Sequence, residues 1–122
     1  MATILIVEDN AANMKLVVFV LQHAGYTVRS AADAEAGLAS ARQKRPDLIL
    51  MDVQLPGIDG VAAVALLKRD EATRAIPVIA LTALAMKGDE ARIRAAGCEG
   101  YIAKPISYRE VLATVAAQLA RG

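Results

Sequence analysis

Groups able to do chemistry fall where apolar runs end. Ile4-Leu5-Ile6-Val7 gives way to Glu8-Asp9, Leu48-Ile49-Leu50-Met51 to Asp52, Val78-Ile79-Ala80-Leu81 to Thr82, and Tyr101-Ile102-Ala103 to Lys104. Carboxylates gathered closely repel, so they either hold a proton or recruit a cation. With one histidine and one cysteine in the chain, the available ligands are oxygens. Oxygen ligands favour a hard ion, Mg²⁺ above all if a phosphate completes the shell. Asp52 can serve as a nucleophile that forms an acyl phosphate. A cation and Lys104 would neutralise the transferred oxygens, Thr82 can donate a hydrogen bond to one of them, and the small Ala83 leaves room. Each residue also has an ordinary reading. Asp52 can cap the next helix, Glu8-Asp9 can be charge at a helix N-terminus, Thr82 is common at a strand end, and Lys104 can simply pair with an acid. Only the elements that carry them can decide.

Those elements alternate. The β-branched run Thr3–Val7 predicts a buried strand, and Asn10 can cap the helix that follows, with Met14, Val17, Val18 and Leu21 on one face. Gly25 supplies a left-handed stop. Tyr26-Thr27-Val28 continues into Arg29-Ser30, polar enough for an edge strand. A second helix is predicted from about Asp33 to Gln43, with the small inner face Ala34, Gly37, Leu38 and Ala41. Leu48–Met51 is a strand covered on both faces, followed by a loop with Pro56, Gly57 and Gly60. A third helix covers about Gly60 to Arg69 and a fourth strand Ile76 to Leu81. The segment Met86 to Ala96 is helical but polar. Ile93 is its one large apolar residue after Lys87, so it should be weakly held. Strand five is Tyr101-Ile102-Ala103. The last helix opens on a capping box, Ser107 to Glu110, with Ile106 stapled to Val111.

Five such βα units with short connections require a parallel sheet, right-handed crossovers and helices on both faces. All strand C-termini then share one rim, which brings Glu8-Asp9, Asp52, Thr82 and Lys104 together.

Composition narrows the function. The chain has 122 residues, enough for one domain with a core of its own. Lys and Arg total 14 against 13 acids, and only Arg42, Lys44 and Arg45 cluster, which argues against a nucleic-acid surface. Cys98 alone excludes an internal disulfide or thiolate cage and reads as a small core residue. No apolar run reaches the length of a membrane span. His23 falls on the polar side of the first helix, and Met14, Met51 and Met86 read as packing. Ser30, Ser40 and Ser107 have no histidine arrangement that would suggest a hydrolase.

With Glu8-Asp9, LILMDVQLPGIDG around Asp52, Thr82-Ala83 and Lys104-Pro105, the chain resembles a response-regulator receiver domain from Ile4 to Leu119. VEDNAANMKL and ALTALAMKGDEARIRAAGCEGYIAKPI are most similar to stand-alone receivers of the DivK type. The resemblance implies an α/β flavodoxin-like fold, a doubly wound five-stranded parallel sheet of order 2-1-3-4-5 with five helices on both faces. It implies that Asp52 is the phosphoacceptor and that Glu8, Asp9, Asp52 and the Gln54 main-chain carbonyl surround Mg²⁺. Thr82 and Tyr101 would be the switch pair, and Lys104–Pro105 a cis peptide. Glu8 in place of a second Asp should still reach the metal. The expected function is two-component signalling. A histidine kinase or histidine phosphotransfer protein phosphorylates Asp52, and the face of helix four, strand five and helix five reshapes for a downstream protein. The domain would not be an enzyme beyond its own phosphorylation and autodephosphorylation.

Further expectations are one receiver domain over 1–122, complete because Met1 lies just before the first strand, monomeric and cytoplasmic, with no direct contact to nucleic acid or membrane. Two other classes share parts of this pattern. A flavodoxin-like cofactor-binding protein needs a phosphate-cradling loop after strand one, where Glu8-Asp9 would repel the phosphate. An aspartyl-nucleophile phosphatase of the haloacid-dehalogenase kind resembles a DxD pattern, and Asp52-Val53-Gln54 lacks its second acid.

Overall fold

The computed structural model describes residues 2–55, 59–83 and 87–121, with the side chains of 87–89 outside that description. The elements alternate without exception: β1 Thr3–Val7, α1 Ala11–His23, β2 Thr27–Ala31, α2 Ala34–Gln43, β3 Leu48–Asp52, α3 Gly60–Arg69, β4 Val78–Thr82, α4 Lys87–Ala96, β5 Gly100–Ala103 and α5 Tyr108–Arg121. The sheet is parallel and ordered β2-β1-β3-β4-β5, the doubly wound order expected. β3 and β4 are buried at every residue, as their unbroken apolar sequence requires, while the polar β2 lies at an edge.

Two apolar layers sandwich the sheet. One joins Leu5, Val7, Ile49 and Met51 to α2, α3 and α4 through Leu38, Val64, Leu67 and Ile93. The other joins Ile4, Ile6, Leu48 and Leu50 to α1 and α5 through Val17, Leu21, Val111 and Val115. Successive strand residues thus feed opposite layers, the period-two consequence of the pleat. Among the described side chains of α4, Ile93 is the one fully buried in its layer, 2% exposed, with Ala96 packed partly buried beside it. Cys98 is buried in the same layer, and burial pushes its thiol up to about 11, which makes it inert. His23 is solvent-exposed and stacks on Phe19.

Two local expectations shift. β4 begins at Val78 rather than Ile76, because Pro77 has no N–H to offer the ladder and serves only as an acceptor, for Ile49 N–H. The capping box at α5 does not close: neither the Ser107 nor the Glu110 side chain is hydrogen-bonded among the described residues. The helix starts on the main-chain bond from Val111 N–H to Ser107 O, with Ile106 packed in the same layer as Val111. The β3–α3 turn residues Pro56 and Gly57, and Met86 at the expected start of α4, lie outside the described residues. Gly25, at φ 101°, makes the left-handed stop after α1.

Candidate functional site

Parallel pairing aligns the strand C-termini. Val7 pairs with Met51, Asp52 with Leu81, and Thr82 with Ala103, so the residues ending β1, β3, β4 and β5 share one rim. At its centre is Asp52, the last residue of β3 and 1% exposed. One carboxylate oxygen, Oδ1, accepts the Gln54 N–H at 2.9 Å. The other, Oδ2, accepts from Lys104 Nζ at 3.1 Å. Burial alone would raise the Asp52 pKa, but the neighbouring Glu8 carboxyl, the Gln54 N–H and the Lys104 ammonium outweigh it, and the carboxyl titrates below its ordinary value.

Glu8 behaves in the opposite way. It is also 1% exposed, and its Oε2 accepts the Asn10 N–H at 3.3 Å. Lys104 Nζ lies 3.1 Å from Glu8 Oε1, but without hydrogen-bond geometry, so Oε1 is a buried oxygen lacking a hydrogen bond. Burial, reinforced by the Asp52 carboxylate beside it, pushes the Glu8 carboxyl up to about 7. Two adjacent acids titrating apart are the mark of a proton held between like charges. Lys104 titrates above its usual value, because its two carboxylate partners outweigh the burial that would lower it.

Asp9 completes the cluster. One carboxylate oxygen each of Glu8, Asp9 and Asp52 lies within 4.8 Å of the others, with Asp9 open to solvent. A buried oxygen without a hydrogen bond and a solvent-facing acid beside it fit a hard divalent cation that keeps some of its waters.

The comparisons with known proteins agree with this geometry. A family model described as the response regulator receiver domain matches residues 4–116. The chain belongs to that family. It is 52% identical over 118 residues to the polar-differentiation response regulator DivK of Brucella ovis, across 96% of this chain and 95% of DivK. The chemotaxis response regulator CheY4 of Vibrio cholerae superposes with a TM-score of 0.91 at 31% identity, covering 96% of this chain and 98% of that one. The receiver domain of the sensor histidine kinase PA1611 from Pseudomonas aeruginosa, solved with a magnesium ion coordinated in its active-site cleft, gives 0.90 at 37% identity over 98% of both chains. This is a signalling domain of the two-component kind.

The remaining expected residues of the receiver are spread around this centre. Thr82 is buried at the end of β4, and its carbonyl accepts the Lys104 N–H at 2.7 Å. The Lys104–Pro105 peptide is cis. Gln54 meets Asp52 through its N–H while its side chain faces solvent. Tyr101 is half-buried on the layer that holds α4. No helix among the described residues is long and apolar enough to cross a membrane.

Sequence reasoning takes Gly60 for a turn residue that opens the third helix. A methyl group on its Cα would sit 2.1 Å from the Asp52 carbonyl oxygen and 2.5 Å from Val53 Cα, so the first turn of α3 rests directly on the main chain that presents Asp52. The signal was there, since glycine is a poor first residue for a helix already capped by Asp59, whose Oδ1 accepts the Val61 N–H. Alanine would gain about 0.5–1 kcal/mol of helix propensity. The clash is with backbone, which cannot swing aside, and overpacking of about 1–3 kcal/mol should win. Gly60→Ala is therefore expected to be less stable in denaturant titration and slower to be phosphorylated. A more stable variant phosphorylated at the wild-type rate would show that the contact is slack.

Proposed function

We propose that this receiver is a phosphorylation switch in which Asp52 accepts a phosphoryl group from a phosphorylated histidine of a kinase or phosphotransfer protein. The observation that supports it most is the state of Asp52, a buried carboxylate kept ionised between an N–H and an ammonium while its neighbour Glu8 takes up the proton. An Asp52 oxygen attacks phosphorus. The O–P bond forms as the P–N bond breaks, and the electron pair leaves on the imidazole nitrogen, which is then protonated from solvent. Lys104 faces the phosphoryl oxygens, and Thr82 donates its hydroxyl to one of them. Glu8, Asp9, Asp52 and the Gln54 carbonyl would hold Mg²⁺, which when bound neutralises charge on the transferred group. The only chemistry assigned to the chain is its own phosphorylation and the later hydrolysis of the aspartyl phosphate.

The reading extends to output. Residues 1–122 act as one receiver domain, monomeric and cytoplasmic, which signals by touching a protein rather than nucleic acid. Phosphorylation draws the Thr82 hydroxyl toward Asp52, Tyr101 moves into the space it leaves, and the surface of α4, β5 and α5 is reshaped. A coupling of about 1–3 kcal/mol suffices for a 5- to 150-fold change in partner affinity, a modest demand on a helix anchored by Ile93. Phosphorylated protein carrying fluorinated tyrosines should show a shifted Tyr101 resonance, and Thr82→Ala should take up phosphate yet lose most of that shift. The full shift in phosphorylated Thr82→Ala would exclude the hydroxyl relay.

A further inference from the structure

Tyr101 does not simply face solvent. The guanidinium of Arg94, from the last turn of α4, lies over its ring with 5.7 Å from Cζ to the ring centroid. Arg94 is itself steadied one turn earlier, Nε to Glu90 Oε1 at 3.3 Å. A second arginine of the same helix, Arg92, reaches Asp59 Oδ2 at 3.4 Å, and Asp59 is the residue that caps α3 immediately after the Asp52 loop. Beyond Ile93 and the partly buried Ala96, the described side-chain attachments of α4 are thus polar ones made by two arginines. One of them lies on the ring that has to move.

We propose that Arg94 is a positioning residue for Tyr101, its guanidinium holding the ring in its half-buried rest position and so setting how much of the unphosphorylated receiver is already in the active form. This rests on the reading of Tyr101 as the switch. A cation over an aromatic face is attracted by the ring's quadrupole, and the attraction is lost when the ring turns away. The contact therefore favours one of two ring positions, the requirement for any group that biases a two-state equilibrium. The Arg94 side chain is 53% exposed, so the bias is small. Removing one exposed cation–π contact should raise the resting active fraction about two- to fivefold. Such a bias sets the leak of the switch and leaves phosphoryl transfer itself untouched.

The test is fluorine NMR of the full chain labelled with fluorotyrosine, resolving Tyr26, Tyr101 and Tyr108, before and after phosphorylation by acetyl phosphate with Mg²⁺. Arg94→Gln should move the resting Tyr101 resonance toward its phosphorylated position, with the phosphorylated position and Mg²⁺ affinity unchanged. Arg94→Lys, which keeps the charge, should restore part of the wild-type value. If Tyr101 shifts on phosphorylation but its resting position is the same in all three proteins, the latch is overturned and the switch stands. If Tyr101 does not shift even in phosphorylated wild type, the switch reading fails and the latch falls with it.

Discussion

Asp52→Asn should take up no phosphate from acetyl phosphate or a phosphorylated histidine protein under conditions where the wild type gains one per molecule, read by intact-protein mass spectrometry. The amide is isosteric but not a nucleophile, so the effect is total rather than graded. The fold should survive. The amide oxygen can still accept the Gln54 N–H, and Lys104 keeps Glu8 at 3.1 Å. Replacing one of three clustered acids also removes repulsion, and of the causes that raise Glu8, only burial remains without Asp52. Melting should therefore occur within a few degrees of wild type, separating loss of chemistry from loss of structure. Asp9→Ala makes the contrast: it removes one exposed acid of the cluster and leaves Asp52, so it should slow phosphorylation without abolishing it. Undiminished phosphate on Asp52→Asn would move the acceptor elsewhere and overturn the assignment.

The sheet and the rim were legible in the sequence because they rest on long apolar runs. Leu48–Met51 and Val78–Leu81 admit little besides strands covered on both faces, and a parallel sheet must then bring their C-termini into line. Residue types at those ends could be named for the same reason. The polar contacts were not legible, since they depend on side-chain directions that no periodicity encodes. The sequence offers Lys104 several acids, and packing brings it between Glu8 and Asp52. Ser107 and Glu110 have the spacing of a capping box, yet the helix begins without it. Gly60 reads as a turn residue, and its need is a close backbone approach visible only in three dimensions. Arg94 reads as one more charge on a solvated helix, and only the packing of α4 over β5 lays it on Tyr101. The buried layers are a property of pattern, whereas the site's proton balance is a property of distance.

That balance makes cation binding depend on pH, and Glu8 sets where. Burial first, then Asp52, lifts its carboxyl from 4.5 to about 7. Below that value the proton occupies the position a cation needs, and one proton must leave for one ion to enter. Apparent Mg²⁺ affinity should therefore fall about tenfold for each pH unit below 7 and level off above it. The metal-free protein should respond in its stability too. Between 4.5 and about 7 the folded chain binds more protons at Glu8 than the unfolded chain does. This contribution is complete below 4.5 and is lost as pH rises through about 7, a change on the order of 3 kcal/mol. Asp52 has the opposite sign, because its folded value lies below 3.8. Its contribution is present above 3.8 and lost as pH falls through that lower value. These two groups thus favour the metal-free fold most between pH 3.8 and 4.5, and Mg²⁺ should restore stability above pH 7 by binding the folded state alone. Glu8→Gln tests the assignment, since the amide keeps the shape and cannot titrate. Calorimetric Mg²⁺ titrations from pH 5.5 to 8.5 should find weak affinity with no slope in this variant, against a slope of one proton in the wild type. A wild-type affinity flat across that range would mean that Glu8 carries no proton for the cation to displace.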